Sequence, residues 1–196
     1  MWIVIIVAVI ICIIPVVVFE KVEIKTEKIV IIAILAALAS AGRVIFGAIP
    51  SVQPSSFIVI MSGMVFGPYT GAVTGTVLAV ASNMMLGQGP WTIWQMGSWA
   101  LMGMSAGLTR KSLNKNLAVR IVFSLFWGFL FGAIMNVYMI VSGSYAGELN
   151  WGTVVSIYAT SLTFDLAHAL SNAVLMGLVG NWFIELLGRM KNKYGL

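Results

Sequence analysis

Four side chains able to grip a large, partly polar organic molecule fall within one eight-residue stretch: Gln88, Trp91, Trp94 and Gln95. Each amide offers a donor and an acceptor, and each indole a flat apolar face with one N–H. Gln53, Asn83, Trp99, Tyr145, Asn150 and Trp151 belong to the same half of the chain's loops and helix ends. For Tyr145 and Trp151 an aromatic belt at lipid-headgroup level is an equal reading, because amphipathic rings collect there.

Arg43 and Asp165 are charges set within apolar runs, where they are costly unless paired or used. A structural ion pair, an arginine reaching to the headgroups and a ligand contact all remain open for them. Asp165, His168 and Asn172 fall at i, i+3 and i+7, one face of a helix. That face could be a hydrogen-bond stripe within a bundle or, with less support, a proton relay. Catalysis has little to work with. There is no G-x-x-x-x-G-K-[ST], H-E-x-x-H or G-x-S-x-G pattern, and one His and one Cys make a poor metal site. No enzyme activity, bound metal or cofactor is expected.

The elements that would position these residues are membrane helices. Apolar residues make up 60% of the 196 and charged ones 9%. Soluble domains carry about 25% charged residues, so this chain lacks the means to cover a wetted surface. Backbone in hydrocarbon must bond to itself, and long apolar runs therefore read as helices. They fall at about 2–19, 28–48, 55–67, 69–86, 93–109, 118–141 and 153–187. The result is an all-α, polytopic bundle: six core helices over 28–196, preceded over 1–27 by an extra helix and linker. The first run lacks a basic start and an A-x-A site, so a retained helix is expected rather than a signal peptide. The 55–67 run is too short to cross alone and calls for tilting, re-entry or shielding. The last is too long and should protrude into the cytoplasm or start later than 153. Loops at 49–55, 87–92 and 142–150 are marked by Pro, Gly and Ser.

Ten of the eleven Lys and Arg residues lie in three clusters: Lys21, Lys25 and Lys28; Arg110, Lys111, Lys115 and Arg120; Arg189, Lys191 and Lys193. All fall on one side under this helix count. The positive-inside rule makes that side cytoplasmic, with the C-terminus, and places the polar–aromatic loops outside. The clusters flank apolar runs without interleaved aromatic faces, so nucleic acid is not an expected partner. Ala33, Ala37 and Ala41 form a row of small residues four apart, with Ala36 and Ser40 beside it. Such a row admits close approach by another helix, from this bundle or from a partner.

Three stretches carry a family resemblance. They are the Ala33-x-x-x-Ala37 pattern; Phe57-Ile58-Val59-Ile60-Met61-Ser62-Gly63-Met64-Val65-Phe66-Gly67-Pro68-Tyr69-Thr70-Gly71-Ala72; and Asn83-Met84-Met85-Leu86-Gly87-Gln88-Gly89-Pro90-Trp91-Thr92-Ile93-Trp94-Gln95-Met96. Over about 28–187 the chain resembles the substrate-binding (S) component of energy-coupling factor (ECF) vitamin transporters, and the third stretch resembles the cobalamin-type subset. The resemblance implies six core helices in a prokaryotic cell membrane and a vitamin pocket open to the outside. It also implies a transmembrane coupling subunit docked on the alanine row and two cytoplasmic ATPases. Ligand contacts are expected from Gln88, Trp91, Trp94 and Gln95, then Gln53, Asn83, Arg43 and Asp165. The alternatives are another flat heterocycle, such as riboflavin or a queuosine precursor, or a proton-coupled transporter using Asp165 and His168.

Overall fold

Proline and glycine set the helix boundaries. A computed structural model describes Ile13 and residues 26–143 and 148–196. The helix expected over 2–19 and Tyr145 lie outside the described residues. Helix α1 runs Thr26–Ile45 and ends in a 3-10 turn, Phe46–Ala48. Helices α2 (Pro54–Phe66) and α3 (Pro68–Leu86) each begin on a proline, which lacks an N–H to leave unbonded and holds φ near its helical value. Between them Gly67 takes φ +100°, a conformation closed to most side chains, and so reverses the chain in one residue. Helix α4 runs Trp91–Leu108, and a single turn, α5 (Arg110–Leu113), follows it. Helices α6 (Leu117–Ser142) and α7 (Trp151–Tyr194) start on asparagine caps, Asn116 and Asn150. Their side-chain oxygens accept from Ala118 N–H at 2.7 Å and Thr153 N–H at 3.0 Å.

Helix α2 resolves the short run. Its 13 residues span about 20 Å, less than the roughly 30 Å of bilayer hydrocarbon. Eleven of them are buried, because α1, α3, α4 and α7 surround it. Shielding by neighbours, one of the three expected solutions, is the one found. Helices α3 and α4 pack most extensively of all, and glycine makes this possible. A Cβ added to Gly103 would stand 2.3 Å from the Gly71 backbone, and one on Gly63 would stand 2.0 Å from the Gly103 carbonyl oxygen. The three central helices therefore meet backbone to backbone. Since lipid gives apolar side chains no reason to prefer one another, close backbone packing is what holds such a seam. Gly128 brings α6 equally near Ala169 of α7.

Among the described residues, three helical segments are long and apolar enough to cross a membrane: Thr26–Ala48, Leu117–Ser142 and Trp151–Tyr194. The long last helix is continuous through 44 residues. Along it Trp151, Val155, Leu162, Phe164, Leu166, Leu170, Val174, Leu178 and Trp182 are all exposed, an apolar stripe that the other described residues leave open. Near its end Lys191 Nζ donates to the Val65 carbonyl at 2.7 Å, satisfying one of the open carbonyls of α2. Lys191 also lies close enough to Arg110 and Lys28 to feel their charge. Residues from all three basic clusters thus meet at one end of the bundle, and the polar loops lie at the other.

Because the seam leaves no room for a Cβ, Gly103→Val should destabilise the bundle by about 1–3 kcal/mol, the usual cost of overpacking. Gly188→Val, where nothing lies within 4 Å, should cost far less. Thermal unfolding of the detergent-solubilised variants distinguishes them; equal melting temperatures would contradict the seam.

Candidate functional site

Beneath the loop end, polar side chains from five helices join into one network. Arg43, near the end of α1, donates from Nη1 to Ser82 Oγ at 2.6 Å and to Asn83 Oδ1 at 2.7 Å, both on α3. Asn83 donates in turn to Thr92 Oγ1 and Gln95 Oε1 of α4, each at 2.8 Å. Thr92 passes its own proton to Gln88 Oε1 at 2.9 Å, and Gln88 Nε2 closes on the Val80 carbonyl at 3.1 Å. Asn83 is 1% exposed and uses both ends of its amide, so it is the hub that fixes α1, α3 and α4 together. A buried network of this kind stabilises only if each member is satisfied.

The guanidinium of Arg43 also lies over the Trp99 ring, 5.0 Å from its centroid, a cation–π contact. Trp99 is fully buried and donates its indole N–H to Ser56 Oγ at 2.9 Å. Ser56 Oγ lies 2.8 Å from His168 Nε2. The hydroxyl has two lone pairs and one proton, so it can accept from the indole and either accept from or donate to Nε2. Phe131 of α6 packs edge-on to that imidazole and tilted against Trp99. The path from Arg43 therefore runs through α4 and α2 to α7.

A cavity of about 200 Å³ opens beside Arg43, lined by Arg43, Phe46, Ile49, Ser51, Gln53 and Leu86 among others. Its wall is the irregular segment between α1 and α2. Ser51 there takes φ +59°, the left-handed region uncommon outside glycine and asparagine. Gln53 is tied down by its backbone N–H, which reaches Ser171 Oγ at 3.4 Å, while its side-chain Oε1 is buried without a partner.

The structure thus brings Arg43, Gln53, Asn83 and Gln95 into one neighbourhood, with Gln88 at its edge through Thr92. Trp91 leans over Gly89, exposed and outside the cavity lining. Trp94 turns away from the cavity, onto Tyr138 and Ile134. Asp165 lies apart: Ser161 Oγ donates to its Oδ2 at 2.9 Å, and Asn136 Nδ2 donates to Ser161 at 2.6 Å, all between α6 and α7. Arg43 and Asp165 do not pair, each being held by neutral groups. On the proposed stripe, His168 and Asn172 face the interior, whereas Asp165 faces Gly132 of α6. Ser56, Ser82 and Thr92 were not legible as site residues, since hydroxyls are common in such helices and only the packing selects these three. On α1, Ala36 and Ser40 are buried, while Ala33, Ala37 and Ala41 face outward. An apolar groove of about 440 Å³ runs beside Ala37 and Ala41, between α1 and α3.

Membrane-length helices and a buried polar network at one end describe a multi-pass membrane protein. The model of one family, "ECF transporter, substrate-specific component", matches residues 27–187, and the chain belongs to that family. It is a transporter subunit and not an enzyme; such components bind a small substrate and associate with an energising module. No match was found among curated proteins or among solved structures.

Replacing the hub should loosen the site from within. Asn83→Leu strands the buried Gln95 oxygen and removes a partner of Arg43, at a cost of about 1–3 kcal/mol for each group left unsatisfied. A melting temperature no lower than that of wild type would show that the network does not hold the helices.

Proposed function

We propose that this subunit captures a vitamin at the loop end of the bundle, outside the cell, for import driven by partner subunits, with cobalamin or a related corrinoid as the leading substrate. The observation that carries the reading is Arg43: a cation inside the bundle, fixed by Ser82 and Asn83 and stacked on Trp99, that faces an open cavity. Intramembrane charges of this kind mark substrate sites when no structural pair accounts for them. Gathering of the basic clusters at the opposite end supports a cytoplasmic C-terminus.

The cavity, about 200 Å³, is smaller than the roughly 300–1,000 Å³ of drug-sized ligand sites. A corrinoid would therefore place one arm in it and spread its ring across the rim, where Gln88 and Trp91 are exposed. The outward row Ala33, Ala37 and Ala41, beside an apolar groove, supports docking of the transmembrane coupling subunit there, with two cytoplasmic ATPases completing the importer. Among flat heterocycles, riboflavin or a queuosine precursor would use the same aromatics and amides. A proton-coupled pair of Asp165 and His168 has less support, because His168 is engaged by Ser56 of α2 and Asp165 by Ser161 one turn away on its own helix.

Mass spectrometry of small molecules co-purifying with the solubilised protein, followed by calorimetric titration with cobalamin, tests the substrate. A near-stoichiometric corrinoid with tight binding is expected; its absence together with silent titration would remove cobalamin. Trp91→Ala should weaken binding at least tenfold while leaving membrane insertion intact. Unchanged affinity would take Trp91 out of the site.

A further inference from the structure

We infer that the cavity beside Arg43 is an anion site: it takes a phosphate or carboxylate group that carries, or adjoins, an N–H or O–H donor. The inference rests on the substrate-binding reading above and specifies the chemistry of the group bound there.

Charge balance gives the first half. The described carboxylates are Glu27, Glu148, Asp165 and Glu185, and none of them pairs with Arg43. Its hydrogen bonds go to a serine and an asparagine, which orient a guanidinium without neutralising it. Both use Nη1, so Nη2 and Nε keep their donors for whatever enters the cavity. A planar fork with two free edges matches the paired oxygens of a carboxylate or phosphate. Trp99 beneath it helps hold the plane and adds no negative charge.

The second half comes from Gln53. Gln53 lines the same cavity, and its Oε1 is buried with no donor to meet it, so that a turn of the amide would present it to the cavity. A buried acceptor left open costs about 1–3 kcal/mol, and a ligand donor placed beside the anion would recover it. Arginine as donor and Gln53 as acceptor ask for opposite partners, so a bare halide satisfies only the first and a hydrocarbon arm neither. Apart from Ser51 and Gly47, the remaining lining, Phe46, Ile49, Val52 and Leu86, is apolar and lowers the local dielectric around the charge. Such an anion could belong to a soluble ligand or to a phospholipid headgroup at the membrane surface, and the test separates them.

The experiment uses the intact chain in neutral maltoside micelles, with thermal unfolding as the first readout and inorganic pyrophosphate as the probe. Pyrophosphate should raise the melting temperature of wild type and of Arg43→Lys. Arg43→Gln, which keeps a donor for Ser82 and Asn83, should need at least tenfold more for the same shift. Gln53→Leu is the second variant should Arg43→Gln fail to fold, and it too should weaken the response. If phosphatidylglycerol gives the Arg43-dependent shift and pyrophosphate gives none, the anion site stands with a headgroup as its occupant. No shift by either in wild type overturns the inference. Calorimetry then compares cyanocobalamin with cobinamide, which lacks the phosphodiester arm. A preference for cyanocobalamin that vanishes in Arg43→Gln supports the anion site. Equal binding of the two corrinoids overturns it while leaving the corrinoid reading intact. An Arg43-dependent pyrophosphate shift without any corrinoid binding keeps the anion site and removes that substrate.

Discussion

Everything at the loop end hangs on the closeness of three glycine-faced helices. Gly63, Gly71 and Gly103 let α2, α3 and α4 touch through their backbones, with no side chain between. In a soluble protein the expulsion of water would hold such helices together even with looser faces. In lipid that drive is missing, and contact distance decides whether a seam holds. The seam lets a 13-residue helix sit inside the bundle and carries Ser56 to within a hydrogen bond of Trp99. Trp99 then forms the floor on which Arg43 lies. A wider seam would leave the arginine without its floor and the hub asparagine without its partners on α4.

Polar groups at this depth have no water to fall back on, so each must find its partner within the chain. Two solutions appear side by side. The Arg43 network spans α1, α3 and α4 and continues through Trp99 and Ser56 to α7, tying the bundle together across its width. The Asp165 network joins only α6 and α7, through Ser161 and Asn136. Their separation explains why two charges that look like natural partners in the sequence do not meet. Arg43 is committed to Ser82 and Asn83 of α3 and to the Trp99 ring of α4, whereas the close approach of Gly132 holds Asp165 against α6.

Much of this was legible from residue types. Apolar runs placed the described helices to within a few residues, except that α7 continues seven residues beyond its expected end at 187. Pro54, Gly67 and Pro68 marked the turns that punctuate α1, α2 and α3. Gln53, Asn83 and Gln95 stood out as polar side chains at the loop end and Arg43 as a charge within an apolar run, and the structure sets these four near one another. Trp94 stood out for the same reason yet packs on Tyr138, because on a helix an indole three residues from Trp91 can face either the cavity or the next helix. The roles of Ser82, Thr92 and Ser56 depend on helix pairings that no spacing along the chain encodes. The glycines at 71 and 75 and at 103 and 107 did carry a readable signal, small residues four apart, of the kind seen in the alanine row of α1.

The exposed apolar stripe of α7 has a bearing on the bilayer itself. From Trp151 to Trp182 it extends roughly 46 Å at 1.5 Å per residue, against hydrocarbon about 30 Å deep. A stripe longer than the oil it sits in is accommodated by leaning over or by drawing the lipid into a thicker collar, each at a small cost per ångström. Because the helix is continuous and Lys191 fastens it to α2, its inclination cannot be adjusted alone. Membrane thickness thereby acts on the protein as a mechanical load, and thin and thick bilayers would set the same bundle at different angles.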